Sequence, residues 1–107
     1  MNALKPPPTD EAELRRIAEK VALASGAVLV LVFGSVARGE SGPESDLDLL
    51  LVLEDDANLL EAASHAQWVL SPRRFAVDLV SIQESSFHNL RNVLMMNARP
   101  VMKVLYG

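Results

Sequence analysis

The chain has no cysteine, and among its 107 residues only one tryptophan, one tyrosine and three phenylalanines. Without cysteine there can be no disulfide framework and no thiolate metal centre. Histidine is nearly as scarce, with His65 and His88 alone. A bound metal would therefore be held by carboxylates, the donor set of a hard cation such as magnesium or manganese. Basic residues are also few: ten Lys and Arg stand against fourteen Asp and Glu, for a net charge of -4. That balance argues against direct nucleic-acid binding, which ordinarily takes a basic face, and leaves room for a nucleotide held through a metal. Long apolar runs are missing too. The longest, residues 27–34, is far short of the roughly 20 residues that span a bilayer. The opening "MNALKPPPTD" has no apolar segment of the signal-peptide kind. No membrane association is expected, and a cytoplasmic location is.

What is present reads as globular: half the residues are apolar and 22% are charged, too apolar for a disordered chain. The length fits one domain. Residues 1–8, ending in Pro6, Pro7 and Pro8, read as a flexible lead-in, and 9–107 as the domain. The apolar content is high for so small a unit and predicts a buried interface, homo- or hetero-oligomeric.

Thr9 or Asp10 offers a cap for a first helix over 10–25, with Leu14, Ile17, Ala18 and Val21 on one face and Gly26 as its stop. "AVLVLVF" predicts a strand buried on both faces. "SVARGE" predicts a short helical turn with Ser35 as its cap, and "SGPES" a loop. "DLDLLLVL" is the second strand. "DDANLLEAASHAQWVLS" predicts a helix capped by Asp55 or Asp56, offering Leu60, Ala63, Trp68 and Leu70 to the core. Ser71-Pro72 breaks it. "RFAVDLVSI" is a third strand begun by Arg73 and Arg74. "QESSFHNLRNVLMMNA" is a last helix carrying Phe87, Leu90, Leu94 and Met95 inward, and "RPVMKVLYG" a final edge strand. The order α-β-β-α-β-α(-β) predicts an α/β (α+β) fold, a small mixed sheet packed by helices.

Asp46 and Asp48 lie two apart at the start of an apolar strand, so both side chains leave by one face. Asp78 sits inside another apolar strand. Carboxylates are almost never buried unpaired. If the two strands share a sheet, three carboxylates can converge. Unneutralised, they would repel one another, whereas two divalent cations about 3.5–4 Å apart are a known device for displacement at phosphorus. Gly34 ends the first strand where the backbone must turn sharply or admit a ligand. Ser35 follows at a helical turn, whose free N–H groups can seat a phosphate, and Arg38 lies one turn on, able to grip the same anion. The ten residues from Val36 to Ser45 are ample for an antiparallel return and short for a crossover. Both halves then meet at one end of the sheet. His65 and His88 fall on helices away from this motif and read as structural or surface residues.

Gly34-Ser35, ten residues, then Asp46-Leu47-Asp48 resembles the signature of the polymerase β-like nucleotidyltransferase superfamily. "FGSVARGESGPESDLDLLLV" is most similar to its minimal nucleotidyltransferases, and the resemblance covers nearly the whole chain. Many members read Gly-Ser-Arg at the loop, whereas Val36 stands here, which leaves Arg38 as the basic residue. The resemblance implies that Asp46 and Asp48 bind two magnesium ions, that Asp78 completes the site and helps deprotonate an acceptor hydroxyl, and that Gly34 and Ser35 hold the triphosphate of ATP or another NTP. It also implies a partner, since minimal nucleotidyltransferases are often paired with a helical HEPN protein in toxin–antitoxin modules, where they resemble antitoxins that adenylylate a toxin tyrosine. Two alternatives stay open: transfer to a small molecule such as an aminoglycoside, and a non-catalytic binding module.

Overall fold

Helix α1 (Glu11–Ser25) begins where the Asp10 carboxylate accepts the Glu13 backbone N–H at 3.3 Å, the bond that makes aspartate a good helix start. It ends where Gly26 turns left-handed at φ +80° and donates to the Ala22 carbonyl, the glycine stop expected from the sequence. The computed structural model to which these elements belong describes residues 6–42, 44–71, 75–97 (side chains to residue 91) and 102–107. The elements after α1 are β1 (Leu29–Phe33), α2 (Gly34–Arg38), β2 (Leu47–Leu53), α3 (Leu59–Val69), β3 (Val77–Gln83), α4 (Glu84–Asn97) and β4 (Lys103–Tyr106). This is the expected small mixed sheet packed by helices. Arg73 and Arg74, placed at the start of the third strand, lie outside the described residues.

The sheet runs β3-β2-β1-β4. Strands β1 and β2 are antiparallel, as the short link between them requires, and β4 lies antiparallel on the other side of β1. β3 runs parallel to β2, which needs a crossover, and α3 supplies it. The central pair is therefore covered on both faces. Leu47, Leu49, Leu51 and Leu53 face one way with Val30 and Val32, and pack against Leu14, Ala18 and Val21 of α1 and Ala62 and Ala66 of α3. Leu31, Leu50 and Val52 face the other way, under Phe87 of α4. This two-sided burial accounts for the unbroken apolar runs in β1 and β2.

Helix α3 departs from expectation twice. Its cap is Asn58, whose side chain accepts from Glu61 N–H at 3.0 Å. Asp55 instead accepts from the Ser85 backbone N–H at 3.0 Å and so caps α4. A cap is chosen by where the chain ends up in space, and here the loop after β2 passes the start of α4. The inward face also differs: Ala62 and Ala66 are buried while Leu60 and Trp68 are exposed. α3 packs beside α1 over the sheet, and this close three-way contact admits small side chains. Leu70 packs against the core as expected. In α4, Phe87 is buried and Leu90 is exposed at the surface, and the side chains of Leu94 and Met95 lie outside the described residues.

Candidate active site

β1 ends at Phe33, which pairs with Asp48. Gly34 then takes φ +73°, a left-handed conformation that costs a residue with a Cβ about 1–2 kcal/mol. Space sets a second requirement. A Cβ at this position would collide with the Asp48 carboxylate, whose Cγ would lie 3.2 Å away. Gly34 thus both turns the chain and lets that carboxylate lie against the backbone at the entry to α2.

The expected cap of this turn, Ser35, is not one. Phe33 takes the N-cap position with extended φ -136° and ψ -174°, and no side chain caps the turn. The left-handed glycine interposed between strand and turn moves Ser35 into the first turn. α2 closes at Gly39, φ +72°, where Gly39 N–H donates to the Val36 carbonyl at 3.1 Å and Glu40 N–H to the Ser35 carbonyl at 2.9 Å. This reversal brings Glu40 back beside Arg38, whose Nε donates to Glu40 Oε2 at 3.1 Å. The Arg38–Glu40 pair had no counterpart among the sequence expectations. Its signal was Gly39, since a helix-ending glycine turns the next residue back along the last turn.

Asp48 and Asp78 are direct partners in the parallel β2–β3 register. Both alternate with the residues that face α1 and α3, so they project on the same sheet face as Leu50, Val52 and Phe87. Asp46 stands just before β2. Asp46 and Asp78 are exposed and Asp48 is half-buried. The Asp48 carboxyl titrates above the usual carboxylate range, chiefly because burial disfavours its charge and further because the charges of Asp78 and Asp46 repel it, while Arg38 pulls the other way. The sequence-nominated acids and Arg38 therefore share one electrostatic neighbourhood. His65 and His88 are exposed on α3 and α4.

Carboxylate oxygen is the donor chemistry of a hard divalent cation, and such a cation would offset the repulsion from Asp78 and Asp46 that adds to the effect of burial on Asp48. Among the described residues, no set of three ligand side chains is gathered closely enough to hold an ion; the acids are neighbours in register across two strands. One prediction follows from the Asp48 shift. A carboxyl whose folded pKa lies above its unfolded value is destabilising when ionised, and that penalty is relieved as pH falls through the folded pKa. Asp48→Asn should hold or raise the thermal midpoint at neutral pH in chelator, and the difference should shrink on acidification. Thermal melts across this range check it, and a marked loss of stability would assign Asp48 a structural role.

A glycine turn closes one strand beside carboxylates carried by the two strands that follow it. A family model for the nucleotidyltransferase domain matches residues 14–101, and the chain belongs to that family. Among solved structures, a proposed nucleotidyltransferase from Sulfolobus solfataricus is similar at 26% identity and a TM-score of 0.54, over 74% of this chain and 71% of that one. A toxin–antitoxin structure with AMP-PNP is similar at 23% identity and a TM-score of 0.60, over 87% of this chain and 73% of that one, a likeness of fold. No curated protein matches the sequence significantly.

Proposed function

We propose that the chain, acting as one domain over residues 9–107, transfers AMP from ATP to a hydroxyl, with a tyrosine of a HEPN-type helical toxin as acceptor, and so serves as an antitoxin. The observation that carries the reaction is the pairing of Asp48 with Asp78 in register, beside the Gly34 turn. Family membership supports nucleotidyl transfer, and the fold shared with a toxin–antitoxin structure holding an ATP analogue supports the partner and the nucleotide.

In this reading Gly34, Ser35 and Arg38 hold the triphosphate. Asp46, Asp48 and Asp78 would hold two magnesium ions, which would neutralise the phosphate charge and polarise the reacting oxygens. The acceptor oxygen bonds to the α-phosphorus, the bond from that phosphorus to the bridging oxygen breaks, and pyrophosphate leaves. Asp78 takes the hydroxyl proton. Such chemistry rests on positioning and charge neutralisation, which a small site can supply.

The test is incubation with labelled ATP, magnesium and the product of the neighbouring gene, followed by mass analysis of both chains. AMP on a tyrosine of the partner is the expected result. Transfer to an aminoglycoside and not to the protein would replace the acceptor, and no transfer to either would leave a binding module. The phosphate loop has its own prediction. Ser35→Ala removes no cap, so its stability should match wild type while ATP affinity falls. Arg38→Ala should behave alike, since an exposed ion pair of the Arg38–Glu40 kind adds little to stability. Calorimetric titration with ATP beside thermal melts checks both, and unchanged affinity in the two variants would reduce the loop to a turn.

A further inference from the structure

Helix α3 packs Leu59 against the core but turns two large apolar side chains away from it. Ala62 and Ala66 face the sheet, while Leu60 is 79% and Trp68 80% exposed. With about 100° between successive helix residues, Ser64 stands opposite the Ala62–Ala66 line, Leu60 and Trp68 lie about 40° to either side of it, and Gln67 and Glu61 about 60°. The outward face is thus symmetrical about Ser64. Leu60, Ser64 and Trp68, with Ala63, Gln67 and Ser71, line a shallow groove of about 520 Å³. The Ser64 hydroxyl donates to the Leu60 carbonyl at 3.0 Å, so the middle of the groove offers no unsatisfied hydroxyl donor to whatever covers it.

We propose that this face pairs with a second copy of the chain, two α3 helices crossing antiparallel about a twofold axis at Ser64. The pattern is its own complement. Reversing one helix about Ser64 sets Leu60 against Trp68 of the second copy, Trp68 against Leu60, and Glu61 against Gln67. The small residue at the crossing lets the helix axes approach, and the bulky pair on each side fills the groove. Glu61 meets an amide and not another carboxylate, which matters for self-association of a chain with net charge -4. Two tryptophans, two leucines and their neighbours would bury on the order of 900 Å² in all, against roughly 1,200–2,000 Å² for a standard specific interface. The dimer is therefore weak and reversible. It uses the helix layer on the sheet face opposite Asp48 and Asp78, so it leaves the candidate site open and does not depend on the proposed reaction.

The lack of cysteine makes the test direct. Ser64→Cys introduces the sole thiol on the axis, where it meets its own copy, and oxidation should give a covalent dimer much faster than His88→Cys on exposed α4. Sedimentation of the wild-type chain should show a concentration-dependent monomer–dimer equilibrium. Trp68→Ala should weaken association by about tenfold or more, the scale of an interface tryptophan, without lowering the thermal midpoint. A wild-type chain monomeric at millimolar concentration, equal crosslinking of the two cysteine variants, or a dimer indifferent to Trp68→Ala would each overturn the proposal, the last by placing the contact on another face. So would a chain that stays monomeric alone and uses Trp68 only to bind a HEPN-type partner.

Discussion

Asp78→Asn is expected to bind Mg-ATP with nearly wild-type affinity and to transfer the nucleotide at least about a hundredfold more slowly, the scale for removing a positioned base. Asp78 lies on an edge strand and is exposed. Changing carboxylate to amide there preserves shape and disturbs no core contact, so lost packing cannot account for the fall. Its register places it beside Asp48, on the side of β2 away from the Gly34 turn. In the proposed reaction the triphosphate occupies the Gly34 side and the acceptor approaches over β3. Binding and transfer should therefore separate in this variant. ATP affinity by calorimetry, read beside the transfer rate, decides it. Near-normal transfer would take Asp78 out of the site and leave it a wet position on a strand edge.

Gly34→Ala should be damaging in two ways that a control can separate. The added methyl suffers the left-handed backbone and also meets the Asp48 carboxylate. The backbone alone costs about 1–2 kcal/mol, and displacing a reacting group by about an ångström can lower a rate by about 10²-fold. Gly26→Ala supplies the comparison, because Gly26 has a similar φ of +80°, with nothing within 4 Å of the added carbon. Both variants should melt at lower temperature. Transfer should fall by about a hundredfold in Gly34→Ala and hold in Gly26→Ala. Equal activity in the two would show that the approach of Asp48 to residue 34 has no part in the chemistry.

Local features were legible before the structure, and features settled by distant contacts were not. Asp10 and Gly26 bound α1 because a cap and a stop act within a turn of where they stand. The antiparallel β1–β2 pair was legible because a short link between two apolar strands leaves little alternative. Asp55 was assigned to the helix that follows it, yet it caps α4 at a separation of 30 residues, and nothing in its own neighbourhood marks that. In α3 the polar residues Glu61, Ser64, His65 and Gln67 are exposed on the same side as Leu60 and Trp68, so the size of the apolar side chains was a misleading guide to its phase. The tight contact with α1 and the sheet selected the alanines, and Trp68 and Leu60 went outward. Gly34, Asp46 and Asp48 stood out because chemistry and spacing coincided. The register that sets Asp78 opposite Asp48 could only be assumed, since parallel pairing across a crossover helix leaves no local mark. Ser35 lost its capping role for a local reason, the positive φ of the glycine before it.

Among the described residues, strand β3 holds to the sheet through β2 alone, and its outer residues Asp78 and Val80 are exposed. Edge strands open by local fluctuation at lower free energy than the strands they flank. Any chemistry that needs Asp78 thus depends on the fraying of one outer strand, and not on the global stability of the domain. A cation shared by Asp48 and Asp78 would act as a rivet between β2 and β3. Amide exchange along β3 would then slow on metal binding, while exchange in β1 and α1 stayed as it was.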